Sequence, residues 1–320
     1  GACRSRRFGR YGLMVTRAPH PVSSDATTAA RIHGPLRRLA WITDPHFDHA
    51  TLDTWQIWVD GLLAEQPDAL IVTGDLSEGD DVAFQLRRLA ETLDRPVFFV
   101  LGNHDFYGKR IAEARRDIIQ LARDLPRLVY LTDCGAVLLD QRTALVGDDG
   151  WGDAVEGDFE CSSVRLNDFE AIDDFRGQAA TARKAILQQQ GRESADRLGE
   201  KLRSLPDSID RVLVATHVPP FREACWYHGH TTDDHWAPFF VCGQVGQLLR
   251  HIAKEFPSRQ FVVLCGHTHH DGIAQMADNL IVHTGFSDYG QLATESMLRL
   301  GEDSLRVPRQ ASTGKFSNCD

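Results

Sequence analysis

The chain has 320 residues, 42% of them hydrophobic and 25% charged, which is enough apolar material for one large α/β domain or two small ones. Its formal net charge of −10 counts against broad nucleic-acid binding through a basic face, but not against a small phosphorylated substrate, because bound cations can reverse the sign locally. No apolar run approaches the ~18 residues that span a bilayer, and the seven scattered cysteines include no C-x-x-C pair, so a cytoplasmic protein with mostly buried thiols and no membrane partner is expected.

Residues 1–35 read as a polar, mobile N-terminal tail, because Arg4, Arg6, Arg7 and Arg10 are not followed by an apolar stretch. Short β-branched runs then recur at 38–43, 69–73, 97–101, 212–216 and 261–265, the pattern of strands buried on both faces. Helical stripes lie between them: Leu52, Trp55, Val59 and Leu62; then Leu86, Leu89, Ala90 and Leu93; and later Val245, Leu248, Leu249, Ile252 and Phe256. Strands alternating with helices indicate βαβ units and a largely parallel sheet. Further strands are expected at 128–131, 136–139, 144–146 and 280–283, two of them close enough for a hairpin within a mixed second sheet. The stretch 151–205 reads as an insertion on the main fold. It opens as an acidic loop with Asp153, Glu156, Asp158 and Glu160, and continues as a helix over 178–203 interrupted near Gly191. The domain is expected to cover 36–300, leaving 301–320 as a C-terminal tail.

Each of the five strong strands runs into residue types that bind metals: Asp44 and His46, Asp75, Asn103 and His104, His217, then His267 and His269. Singly, such residues are ordinary surface or hydrogen-bonded groups. Jointly, the carboxyl ends of open α/β sheets form one crevice, so strands distant in sequence can deliver them to one place. Imidazole and carboxylate together suit first-row transition metals.

D-P-H at 44–46, G-D at 74–75, G-N-H-D at 102–105, His217 and G-H-T-H at 266–269 follow the order found in calcineurin-like metallophosphoesterases, and the chain resembles that family over about residues 37–290. The resemblance implies an α/β fold: a four-layer α/β/β/α sandwich of two mixed sheets, here with a loop-helix insertion. It implies two divalent or trivalent transition-metal ions, with Fe, Mn and Zn all suited to the ligands. Asp44, His46 and His269 would hold the first, Asp75 would bridge, and Asn103, His217 and His267 would hold the second. His104 would face the substrate as the catalytic residue, and a metal-bridging hydroxide would attack the phosphoryl group. Where many members carry Asp three residues after the bridging Asp, this chain has Glu78, which can orient His104 or stand as a solvated loop carboxylate.

The segment 219–242 follows His217 and carries Trp226, Tyr227, His228, His230, His235 and Trp236. His228 and His230 are candidates for phosphate contact and Trp226 or Trp236 for stacking, against the plainer reading of a structural flap. His270, Asp271 and His283 are candidate supports of the ligands. The expected function is hydrolysis of a small phosphodiester or phosphomonoester. The alternatives are a metal-dependent nuclease, disfavoured by the acidic balance, and a non-catalytic scaffold, disfavoured by the intact ligand set. Serine/threonine phosphatases carry G-D-x-V-D-R-G where this chain has G-D-L-S-E-G-D, so its motifs sit closer to the smaller bacterial-type phosphodiesterases.

Overall fold

Alternation at period two lets one buried strand feed two hydrophobic layers, and this builds the molecule. The computed structural model describes residues 36–301 and 305–307. The first sheet contains β1 (Arg38–Ile42), β2 (Ala69–Thr73), β3 (Val97–Val100), β4 (Leu128–Tyr130), β13 (Ser296–Leu300) and β14 (Leu305–Arg306). The second contains β5 (Val137–Leu138), β6 (Thr143–Gly147), β7 (Arg211–Ala215), β10 (Gln260–Cys265), β11 (Gly272–Ala277) and β12 (Leu280–Thr284). A small hairpin pairs β8 (Trp226–Tyr227) with β9 (His230–Thr231). The sheet orders are β14-β13-β1-β2-β3-β4 and β11-β12-β10-β7-β6-β5. Both are parallel at the centre and antiparallel at an edge, with β5–β6 forming the expected antiparallel pair.

The helices are α1 (Leu52–Ala64), α2 (Asp81–Leu93), α3 (Ile111–Asp124), α4 (Asp168–Ala171), α5 (Ala180–Arg203), α6 (Ala237–Phe240) and α7 (Gly243–Glu255). On one outside face, Val59, Leu62, Leu86, Leu89 and Leu121 pack on Ile42, Leu70, Val72 and Phe99. Between the sheets, Trp41, Ile71, Phe98 and Val100 meet Leu145, Leu213, Val262 and Leu264. On the other outside face, Leu198, Leu202, Val245, Leu249 and Ile252 cover Val146, Val214 and Val263. This is the α/β/β/α layering expected of the chain. None of the helices among the described residues is long and apolar enough to cross a membrane.

Several local expectations change. The helix α5 runs unbroken through Gly191, because the glycine there answers a close approach: a Cβ would lie 2.5 Å from Asp153 Cβ. Leu52, expected on the apolar stripe of α1, is exposed; the buried stripe is Trp55, Trp58, Val59 and Leu62. The helix α3, with Ile111, Ala114, Ile118 and Leu121 buried at helical spacing, and the strands β11 and β13 join the expected elements. Residues 1–35 lie outside the described residues, as does most of 301–320, although β14 falls in that second stretch and pairs with β13.

Candidate metal centre

The loops after β1, β2 and β3 carry Asp44 and His46, Asp75, and Asn103 with His104, while those after β7 and β10 carry His217, and His267 with His269. Three loops come from one sheet and two from the other, so the centre lies where the carboxyl ends of both sheets meet. The backbone is strained there. Nine described non-glycine residues have φ in the left-handed region, and Asp44, His46, Asp75, His267 and His269 are five of them, at 39° to 69°. Such residues cost on the order of 1–3 kcal/mol each and cluster at functional sites. The motif glycines answer the same crowding. A Cβ on Gly102 would run into the Asp75 carboxylate, and one on Gly266 into that of Asp44.

Two donor groups result: Asp44, His46, Asp75 and His269, and Asp75, His217 and His267, with the donor atoms of each within 4.8 Å of one another. Asp75 belongs to both. Asn103 joins the second group, its Oδ1 lying 3.1 Å from His217 Nε2 while its Nδ2 donates to Asp168 Oδ1 at 2.9 Å. The tautomers follow from the neighbours. His217 Nδ1 lies 2.9 Å from the Thr73 carbonyl and His267 Nε2 lies 3.3 Å from that of Phe239, so both are N–H donors. This leaves His217 Nε2 and His267 Nδ1 as lone pairs 3.1 Å apart, with Asp75 Oδ2 at 3.4 Å from the former. Four acceptors thus converge with no proton between them, an arrangement that a cation satisfies. In the first group His46 Nε2 lies 3.2 Å from His269 Nε2 and 3.7 Å from Asp75 Oδ2, and His269 Nε2 lies 3.6 Å from Asp44 Oδ1. The residues present therefore fit two first-row cations.

The electrostatics agree. Burial, reinforced by neighbouring histidines, lowers His46 to about 3 against the pull of Asp75. Burial and His217 likewise lower His267 to about 3. Both rings are then neutral at neutral pH, the form that ligates metal. Burial lifts the Asp44 carboxyl above its usual range, with His217 and His269 opposing. At Asp75 burial also acts upward, but His217, His104 and His46 outweigh it and hold the carboxyl below its usual range.

His104 lies outside both donor groups. Its backbone N–H donates to Asp75 Oδ1 at 2.9 Å, its ring stacks on Tyr107 at 4.5 Å, and it meets His46 edge-on at 4.8 Å. Glu78 Oε1 is 3.4 Å from its Nδ1. Burial disfavours the charged ring, but Asp75, Asp168 and Glu78 together hold its pKa above the ordinary value. His228 stands 4.4 Å from His270, the neighbour of His269, whereas His230 is exposed on β9 and belongs to neither donor group. The Trp226 indole packs against Gly272; Trp236 is exposed and reaches the centre through Phe240, whose ring is 4.3 Å from His267.

Sequence reasoning passed over Asp168, which is buried and also accepts the Tyr107 hydroxyl at 2.8 Å. It lies in the acidic stretch 151–205 without a motif of its own. Asp105, visible in G-N-H-D but given no role there, is buried and accepts backbone N–H groups from Gly102 at 2.7 Å and Ser77 at 3.1 Å, closing the ligand loops. Tyr289, which packs on His46 and His269, had no local signal.

Residues 37–271 match the family described as calcineurin-like phosphoesterase. No curated protein matches the chain. Among solved structures, the chain is similar to a phosphopantetheinyl hydrolase from Mycobacterium tuberculosis, with a TM-score of 0.57 and 15% identity over 81% of this chain and 92% of that one. It is also similar to a dimetal phosphatase from Danio rerio, with a TM-score of 0.54 and 14% identity over 84% of this chain and 94% of that one. At these identities the likeness concerns the fold, and it spans nearly all of both relatives. With the family match covering all five ligand loops, the chain belongs to the calcineurin-like phosphoesterases, and is a metal-dependent hydrolase of phosphate esters.

Proposed function

We propose that the chain hydrolyses a small phosphodiester or phosphomonoester at a dinuclear centre of Fe, Mn or Zn. Asp44, His46 and His269 hold one ion, Asn103, His217 and His267 hold the other, and Asp75 bridges. The observation that carries this reading is the membership of Asp75 in both donor groups. Two cations there supply, when bound, activation of water and neutralisation of phosphoryl charge. The remaining work falls to the chain. Asp168 orients the Asn103 amide so that a neutral oxygen, and not a further negative charge, faces the anionic ester. His104, held toward its protonated form, donates to the phosphoryl or leaving oxygen as the P–O bond breaks. Glu78 orients the His104 ring, and His228 lies on the rim where substrate enters.

The test is hydrolysis of a monoester, a diester and a cyclic nucleotide with each metal in turn, in wild type and Asp75→Asn. The variant loses one anionic bridging oxygen. Elemental analysis should find fewer ions per chain, and turnover should collapse. Unchanged metal content together with unchanged turnover would remove Asp75 from the bridge.

A further inference from the structure

Tyr289 stands over the first donor group without belonging to it. Its ring centroid is 4.6 Å from His46, 4.8 Å from His49 and 5.0 Å from His269, yet 48% of the residue is exposed. The turn that carries it is fixed to the ligand loops. Ser287 Oγ donates to the Asp44 carbonyl at 2.5 Å, and Ser287 N–H donates to that of His269 at 3.3 Å. Gln291 closes the turn through its N–H to the Asp288 carbonyl at 3.0 Å and its side chain to Asp288 Oδ2 at 2.6 Å. A side chain held this firmly by the backbone of two ligand loops keeps its position relative to the centre.

The surroundings say what such a ring would meet. Of the five exposed aromatic side chains among the described residues, four are Tyr289 and Phe286 on this turn, Tyr227 against His270, and Trp236 against Phe240. Only Phe84 lies elsewhere, on α2. Large apolar side chains left in water beside a polar site mark a binding surface. The location within the site is also defined. His104 and Tyr289 both touch the His46 ring, at 4.8 and 4.6 Å, so both stand beside the first donor group.

We propose that Tyr289 is a substrate-contacting residue and that it selects phosphate esters whose leaving group carries a planar, apolar ring. The proposal rests on the assignment of His104 to the substrate given above. The neutral phenol brings a flat face and no charge, which suits offset or edge contact with a second ring.

The experiment compares 1-naphthyl phosphate with methyl phosphate on wild type, Tyr289→Phe, Tyr289→Leu and Tyr289→Ala, each with its metal content measured. Tyr289→Ala and Tyr289→Leu should raise KM for the naphthyl ester roughly 5- to 10-fold while changing KM for the methyl ester by less than about 2-fold, and Tyr289→Phe should keep the preference. Calorimetric binding of naphthyl and methyl phosphonates to the metal-loaded proteins should show the same ratio in Kd. Equal losses on both esters, or a loss that follows metal content, would make Tyr289 a support of the histidines and overturn the proposal. Wild type that turned over neither ester with any metal would overturn the hydrolytic reading instead. The phosphonate ratio would still decide Tyr289, and no difference between wild type and Tyr289→Ala in that ratio refutes it.

Discussion

His104 and its neighbour Asn103 sit side by side on one loop, and their environments send them to different tasks. The Asn103 amide is turned by Asp168 so that its oxygen faces His217, while the His104 ring, outside both donor groups, rests on Tyr107 with Glu78 beside it. His104→Ala should therefore leave metal content nearly intact while turnover falls ~10²–10⁴-fold, the usual contribution of a positioned acid or donor. An alkyl ester, whose alkoxide needs a proton, should suffer more than a nitrophenyl ester, which departs as its anion. Elemental analysis beside steady-state kinetics checks both halves. Collapse of metal content would make His104 a ligand, and equal slowing of the two esters would place its effect on the phosphoryl oxygens and not on the leaving group.

Among the elements, α5 shows how an outer helix is locked to the sheet beneath it. Lys201 Nζ donates to the carbonyls of Leu131, Thr132 and Gly147 at 2.6, 3.1 and 2.8 Å, tying α5 to the ends of β4 and β6. Arg197 adds two bonds to the Asp148 carboxylate at 2.7 and 2.9 Å. Asp149, next in sequence, collects Leu101 N–H, Thr132 Oγ1, Tyr130 OH and Arg115 Nε, which joins α3 and the first sheet to the same loop. Gly191 is where α5 passes Asp153, and the Asp153 carboxylate in turn accepts N–H groups of Gly243 and Gln244 at the start of α7. In Gly191→Ala two effects oppose. Alanine gains about 1 kcal/mol of helix propensity, while forcing a methyl into a packed contact costs about 1–3 kcal/mol. Displacement of Asp153 from the α7 N-terminus adds about 1 kcal/mol to the cost. The variant should be less stable, with a lower Tm in thermal unfolding followed by circular dichroism. A raised Tm would mean that propensity wins and that α5 has room to move at this point.

For the whole molecule, the proposed centre would act as a clamp between the sheets. His217 and His267 come from the second sheet, whereas Asp75 and Asn103 come from the first, so one ion shared among them would crosslink the two. Binding to the folded state alone stabilises it by about 4 kcal/mol at a free metal concentration a thousand times Kd. The His46 and His267 rings need no deprotonation at neutral pH, because burial already holds them at about 3. Stripping the protein with a chelator should lower its Tm, and returning Mn or Zn should restore it, as scanning calorimetry would show. Coincident unfolding of stripped and reloaded protein would mean that these donors bind no ion in the folded chain.

The local signals in the chain were enough for the strand ends and the family, and they single out the seven candidate ligands, because each is written within a few residues. The run 69–73 is β-branched and apolar, and Gly74-Asp75 follows it directly. The layered sandwich follows from the same period-two alternation, which sends Leu70 to the helices and Ile71 to the second sheet. Long-range packing decided the rest. Asp168 meets Asn103 across 65 residues, and Ser287 meets Asp44 across 243, contacts for which no neighbouring residue gives a sign. The supposed break at Gly191 failed for the same reason: a glycine in sequence reads as flexibility, and only the tertiary structure places Asp153 against it. The left-handed backbone of Asp44, His46, Asp75, His267 and His269 belongs to that second class too, since local preference opposes it and the convergence of five loops from two sheets imposes it.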